Sequence, residues 1–419
     1  MSAEKLKVVI CDDEEPRRND WKTAIESQLE DQCVHEVTLL SGGKGGFNEQ
    51  YQQLLSRRSE ARERLATGEK RVPFDRLPDD HEYETNDFDS ADVLLVDYDL
   101  YRFKKDEYLT GSVVAYLARC YSNAKLIVGV NEHGENPFDL TLADTPESFS
   151  DVIIGEKQLG NPLLWFGQQK GMQAFRPWYW PPLLDLATRL PKLTATVAGR
   201  LDEHVLDITG LGKVQKRVPR SALGYLERSD RRDEMTSLYD LAAGPRLGLH
   251  RGDEAMSKRA LATIAAARAH KWLARVVLPL QDVLIDAPHL VSRNGALLDG
   301  GEHDDTARAP AAHNQLPLVE QLAEHAHQAP DWLSIPTYYW PLLSTQRDLP
   351  GVANPYDIPE TELVFGEDIS SFLPQQQARR FVSRLVDSSA PARWVADPRT
   401  SKIKGLEDVE YQPGSRLAL

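Results

Sequence analysis

Cysteine is scarce in this chain: there are three in 419 residues, Cys11, Cys33 and Cys120. Thiols so few and so far apart exclude a disulfide framework and a cysteine-rich zinc site, and they suit a reducing, cytoplasmic setting. Long hydrophobic runs are also missing. No stretch reaches the roughly 18 apolar residues of a membrane-crossing helix, so no membrane partner is expected. The N-terminal MSAEKLK runs into a strand-like KVVIC and not into a leader-peptide core. Positive charge is in deficit, with 49 Lys and Arg against 64 Asp and Glu and a formal net charge of −15. The deficit is local: residues 1–160 hold 19 basic and 33 acidic residues, whereas residues 161–419 hold 30 and 31. So acidic a first part is a poor surface for neutralising phosphates, which argues against nucleic-acid binding there. The basic run at 213–220 (KVQKRVPR) reads as a solvated turn or a local patch. Gly-x-Ser-x-Gly, HExxH and Cys–His signatures are absent. The segment 41–46 (SGGKGG) lacks the Lys-Ser/Thr ending of a phosphate-binding P-loop.

What is present is an ordinary globular balance, 41% hydrophobic and 27% charged. Over the first 160 residues apolar runs alternate with helical patterns, as in βαβ units around a parallel sheet. Strands are predicted at 7–11 (KVVIC), 34–40 (VHEVTLL), 93–97 (VLLVD), 125–130 (KLIVGV) and 151–154 (DVII), with helices at 16–29 and 110–120. Residues 43–90 read as an insertion between the second and third strands. Its charged helix at 48–65 is expected to face a partner or the second part and not the core, and 73–90 reads as acidic and turn-rich.

The remainder, 166–419, reads as a mainly helical output or partner-binding region. Its clearest helix spans 253–278, until Pro279 stops it. Short strands are expected at 283–285 and 363–365, a helix at 375–386 with a cap in 367–371, and an exposed loop at 292–316. The segments PWYWPPLL (177–184) and PTYYWPLL (336–343) echo one another, either as packing anchors or as the walls of an aromatic cleft. Asp286 and His289 are a candidate acid–base pair. His325 and His327 lie two apart, on different faces of a helix, and make a poor metal pair.

In an open α/β sheet, functional residues gather at the carboxyl ends of the strands. The first strand ends in Asp12 and Asp13, and the third ends in Asp97, with Asp99 two residues on. Carboxylates converging there repel one another unless a cation intervenes. A hard ion such as Mg²⁺ takes oxygen ligands and keeps positions open for phosphate oxygens, which makes Asp97 a candidate nucleophile.

The acidic pair after KVVIC, Asp97 closing VLLVD, and Thr110-Gly111 opening the next helix together resemble the receiver domain of bacterial response regulators over about residues 1–165. The resemblance implies a flavodoxin-like, five-stranded parallel sheet. It also implies that Asp12, Asp13, Asp97 and the backbone carbonyl of Asp99 bind Mg²⁺, with Asp97 as phosphoacceptor. Two features depart from the pattern. The Thr or Ser expected after the fourth strand is replaced by Val130 or Asn131, of which only Asn131 can donate to a phosphoryl group. The fifth strand lacks its aromatic, and Lys157 lies about two positions beyond the expected lysine. Degraded in this way, the site resembles divergent receivers of bacterial conflict and defence systems.

The expected function is an atypical response-regulator-type signalling protein. The alternatives are a phosphorylation-independent adaptor of a multi-protein, antiphage-type system and an enzyme with its site in 166–419. Expected partners are a histidine kinase or a sensor or effector encoded nearby, and a homodimer is a further alternative.

Overall fold

The computed structural model describes residues 5–64, 85–166, 182–298 and 316–396, apart from the internal segments 31–32, 44, 105–107, 133–147, 227–235, 244–255, 317, 321, 323–331, 347, 350–362, 367–370 and 382–392. The first part is a parallel sheet of β1 (Leu6–Cys11), β2 (His35–Leu40), β3 (Val93–Asp97), β4 (Leu126–Asn131) and β5 (Val152–Gly155). Its strand order is β2-β1-β3-β4-β5, the order of flavodoxin-like folds. Every residue of β3 is buried, as expected for a central parallel strand covered on both faces.

Helix α1 (Glu15–Leu29) starts with Pro16 in its first turn and buries Arg18, Trp21, Ile25 and Leu29. Those intervals of three and four residues put one stripe against the sheet. The expectation for the helix after β2 is overturned. Helix α2 (Phe47–Arg64) is the crossover that carries the chain from β2 to β3, and it buries Phe47, Tyr51 and Leu54 in the main core. Parallel strands of one sheet need such a crossover, so this helix belongs to the fold and not to an appended surface. Arg57 on α2 is buried and donates two hydrogen bonds to the Asp89 carboxylate, at 2.9 and 2.8 Å, and one to the Tyr121 carbonyl at 2.8 Å. Asp89 lies in the short helix α3 (Asp87–Ser90), where it forms a reciprocal capping box with Asn86. Tyr121 ends α4 (Gly111–Tyr121), so one ion pair ties three helices together.

After β5 come a 3₁₀ turn and α5 (Pro162–Phe166), then α6 (Leu183–Ala198), α7 (Val205–Ile208), α8 (Arg220–Leu223), α9 (Leu238–Ala243), α10 (Lys258–Trp272) and α11 (Ala287–Arg293). α10 packs against α6, α9 and α4, and the main apolar core runs from the sheet into these helices without a break. Lys271 on α10 donates to the Ser150 carbonyl ahead of β5 at 2.9 Å, beside the buried Arg119–Asp151 pair. Residues 166–419 carry strands as well as helices. β6 (Leu284–Asp286) pairs antiparallel with β7 (Thr337–Tyr339), which gives PTYYWPLL a strand-and-turn role. Tyr339 donates its hydroxyl to the Thr209 carbonyl, while residues 177–181 of the partner echo lie outside the described residues. β8 (Leu363–Gly366), β9 (Ser371–Pro374), β10 (Arg379–Phe381) and β11 (Arg393–Val395) form a second sheet in the order β10-β11-β8-β9. The helix expected at 375–386 is instead a 3₁₀ turn, Gln375–Gln377, followed by β10. Pairing with β11 decides the conformation there, and 382–386 lie outside the described residues. Ser371 accordingly opens a strand. His325 and His327, and most of the loop at 292–316, also lie outside the described residues. Among the described residues no helix is long and apolar enough to cross a membrane.

If α2 is core, Leu54→Ala should lower the unfolding free energy by about 2–5 kcal/mol, the usual range for deleting a buried leucine. Denaturant unfolding checks this, and a loss below about 0.5 kcal/mol, the usual limit for a surface change, would return α2 to the surface.

Candidate acidic pocket

β1 and β3 are adjacent and parallel, with Cys11 opposite Val96, so Asp12 and Asp97 leave the sheet side by side. Carboxylate oxygens of Asp12, Asp13 and Asp97 all lie within 4.8 Å of one another. Asp12 and Asp97 are buried. An Asx-type turn holds Asp12, whose Oδ1 accepts from the Glu14 amide at 2.6 Å. Asp13 accepts from the Arg102 amide of the β3–α4 loop, and the Arg102 guanidinium pairs with Glu14 at 2.8 Å. That loop is therefore pinned over the pocket. Gly111 is required at the start of α4, because a Cβ there would lie 2.1 Å from the Asp97 carbonyl oxygen. The glycine noted in the Thr110-Gly111 pair thus lets α4 abut the end of β3.

Sequence reasoning missed Arg17. Its Nε donates to Asp12 Oδ2 at 2.6 Å, its Nη2 to Asp97 Oδ2 at 2.7 Å and its Nη1 to Glu132 Oε2 at 2.8 Å. Asp13 Oδ1 is 3.9 Å from Nη2. The available signal was an arginine four residues after Asp13 on the first turns of a helix. Glu132 lies 115 positions away in the chain and gave no local sign.

The charges remain unbalanced despite this guanidinium. Burial, reinforced by Asp12, pushes the Asp97 carboxyl up to about 7 against the opposing pull of Arg17. Burial likewise raises Asp12, against the Glu14 amide and Arg17. It raises Asp13, which Asp99 also faces. Burial lowers the Arg17 pKa, but Asp97 and Asp12 outweigh it and hold Arg17 above its usual range. Three carboxylates and one guanidinium leave the pocket negative. An oxygen-only donor set with that excess fits a small, hard cation.

The other expected residues sit around this cluster. Asp99 is at the exposed rim, its side chain accepting from the Tyr101 amide at 3.0 Å, and its bridge to Thr110 closes the loop. Val130 stands opposite Asp97 in the β3–β4 register, so an apolar side chain occupies that place. Asn131, half-buried, ends β4 opposite Gly155. Lys157 is exposed in the 3₁₀ turn after β5. Glu156, its neighbour, receives the Trp21 indole N–H at 3.5 Å.

Two other candidates have structural roles. In SGGKGG the Gly45 amide is taken by Glu49 at 2.9 Å, and the Gly46 and Phe47 amides by the carbonyls of Gly43 and Ser41, so the loop spends these donors on itself. Asp286 and His289 do meet, at 2.7 Å, with Asp286 capping α11 through the His289 amide.

Comparison with protein-family models, curated proteins and solved structures returns no match for this chain. Topology and the acidic pocket therefore carry the functional argument.

Because the Asp97 carboxyl titrates higher folded than unfolded, ionising it opposes folding. Wild type should lose stability relative to Asp97→Asn as pH rises from about 4, the unfolded value, towards about 7, and the gap should then level off. Urea unfolding of both proteins at pH 5 and pH 8 measures the gap. A constant difference, or one that shifts in favour of wild type as pH rises, would show that Asp97 carries no such burden.

Proposed function

We propose that the first part acts as a receiver-like regulatory domain, with Asp97 as a phosphoacceptor and Asp12, Asp13 and Asp97 as ligands for a divalent cation such as Mg²⁺. The observation that carries this reading is the convergence of the three carboxylates at the carboxyl edge of the parallel sheet. In the reaction an Asp97 carboxylate oxygen attacks phosphorus and forms an acyl phosphate. The bond from phosphorus to its donor breaks, and the leaving group departs with the electron pair. A bound divalent ion supplies positive charge that lets an anionic phosphoryl group approach an anionic acceptor. This chain's residues place the acceptor: Gly111 permits α4 to abut it, and the Arg102 amide holds the loop over Asp13. The carboxyl group must be ionised to attack; burial and Asp12 push the metal-free group up to about 7, and a bound divalent cation would favour the ionised form. The phosphoryl donor on this reading is a histidine kinase, and the output lies in the helical and small-sheet region.

A second reading is favoured by Arg17, Val130 and the pocket's surroundings. Arg17 already provides a cation, and Val130 offers no hydroxyl where a receiver uses one. Tyr98, Tyr101 and Tyr108 are exposed on the loop that leaves Asp97, with the Tyr101 and Tyr108 rings 5.6 Å apart. Tyr108 holds a positive φ of 45°, a strained conformation for a bulky residue. On this reading the domain docks a sensor or effector protein through that surface without being phosphorylated.

Acetyl phosphate with Mg²⁺ separates the two. Intact mass should show one added phosphoryl group, lost in Asp97→Asn and lost when the metal is chelated. Absence of the adduct at pH 8 with Mg²⁺ present would remove the phosphoacceptor reading in favour of docking.

A further inference from the structure

We propose that Arg17 is a resident counterion that competes with a divalent cation for Asp12 and Asp97, so that a metal ion enters the pocket only as the guanidinium withdraws towards Glu132. This inference rests on the reading of the pocket as a metal site, and it assigns a role to a residue outside the ligand set.

The geometry is that of one fork spanning three acids. The Nε and Nη2 edge bridges Asp12 Oδ2 and Asp97 Oδ2 at 2.6 and 2.7 Å, while Nη1 points outward to Glu132 at 2.8 Å. A hard cation held by Asp12 and Asp97 would draw on the carboxylate oxygens that this edge already occupies. Two positive groups on the same oxygens also repel at close range. The guanidinium therefore serves as a stand-in for the metal and not as a companion to it.

A route out exists. The Arg17 side chain is largely buried, at 16% exposed, whereas Glu132 is 45% exposed and lies at the pocket mouth. Withdrawal breaks the pairs with Asp12 and Asp97 and the longer one with Asp13, and can keep the one with Glu132. The backbone of α1 need not move, because Pro16 and the Asp12 turn fix its start. Trp21, one turn along α1, lies beneath the guanidinium with its ring centre 5.9 Å from Arg17 Cζ, so it senses where that charge sits.

Mn²⁺ is the probe, with free ion counted by electron paramagnetic resonance on the full-length chain. Arg17→Gln should bind Mn²⁺ about tenfold more tightly than wild type, or better, the size of a typical coupling between two sites. Lys22→Gln is the control, since it removes a cation of the same helix that is 38% exposed and paired with Glu26 and bridges neither Asp12 nor Asp97. It should change affinity by less than about threefold, as exposed pairs contribute little. Equal tightening in both variants would reduce the effect to bulk charge and overturn the proposal. Unchanged or weaker binding in Arg17→Gln would do so too.

If that variant does not fold, wild type still decides the matter. The Trp21 emission, taken as the difference from Trp21→Phe, should shift when Mg²⁺ saturates the protein, and an unmoved signal with metal bound overturns the competition. Should wild type, Arg17→Gln and Lys22→Gln all leave Mn²⁺ free at millimolar concentration, the metal reading itself falls and takes this inference with it. Binding without an Arg17 effect removes the inference alone.

Discussion

Two carboxylates buried side by side at the end of a sheet are an electrostatic burden that the rest of the chain must offset. Asp12 and Asp97 reach that position because β1 and β3 are neighbours in register, and nothing in the sheet itself compensates them. Burial takes away the water that would screen them, and what remains is one guanidinium shared among Asp12, Asp97 and Glu132. Arginine suits this role better than lysine, since its planar fork reaches several acceptors with fixed geometry and stays charged when desolvated. Three carboxylates against one guanidinium nonetheless leave the pocket's formal charge negative, and burial, with Asp12 beside it, pushes the Asp97 carboxyl up to about 7. The same imbalance underlies its reading as a cation site and the tension between Arg17 and any incoming ion.

The surrounding scaffold makes that arrangement rigid. α2 is pinned to α3 and α4 by the buried Arg57–Asp89 pair and the Tyr121 carbonyl. α4 in turn abuts the Asp97 carbonyl through Gly111. A buried ion pair is weak evidence for net stability, because desolvation offsets much of the attraction. Its contribution here is positional: it holds the C-terminal end of α4, at Tyr121, against α2 and α3, while Gly111 sets the other end against β3.

The sheet was legible because central parallel strands are covered on both faces and read as unbroken apolar runs. VLLVD and KVVIC therefore located the ends where Asp97 and Asp12 emerge. α2 was misread for the opposite reason. Its core stripe is Phe47, Tyr51 and Leu54 with the buried Arg57, set among Gln, Ser, Glu and Arg, so most of its residues advertise a surface. β10 was misread because Gln-Ala-Arg-Arg-Phe has no strong local preference, and only pairing with β11 makes it a strand. Arg17 escaped notice because its meaning lies in a convergence of residues separated by as many as 115 positions. Spacing along one helix shows Asp13 and Arg17, but it cannot show Asp97 or Glu132 arriving from other strands.

On the proposed receiver-like reading, the fifth strand raises the question of how the pocket would reach the rest of the chain. A receiver that relies on an aromatic in that strand sends its signal across the sheet, but β5 here is Val-Ile-Ile-Gly. α4 supplies a different physical connection. Its first residue touches the Asp97 carbonyl, and in its last turn Arg119 pairs with Asp151, next to the carbonyl that accepts from Lys271 of α10. Cys120 lies against Met256, just ahead of α10, at 3.6 Å between sulfurs. One eleven-residue helix thus joins the end of β3 to the residues ahead of β5 and α10 by direct contact. This packing runs through no hydroxyl on β4 and no ring on β5, so the pocket stays in packed contact with the helices beyond it without either.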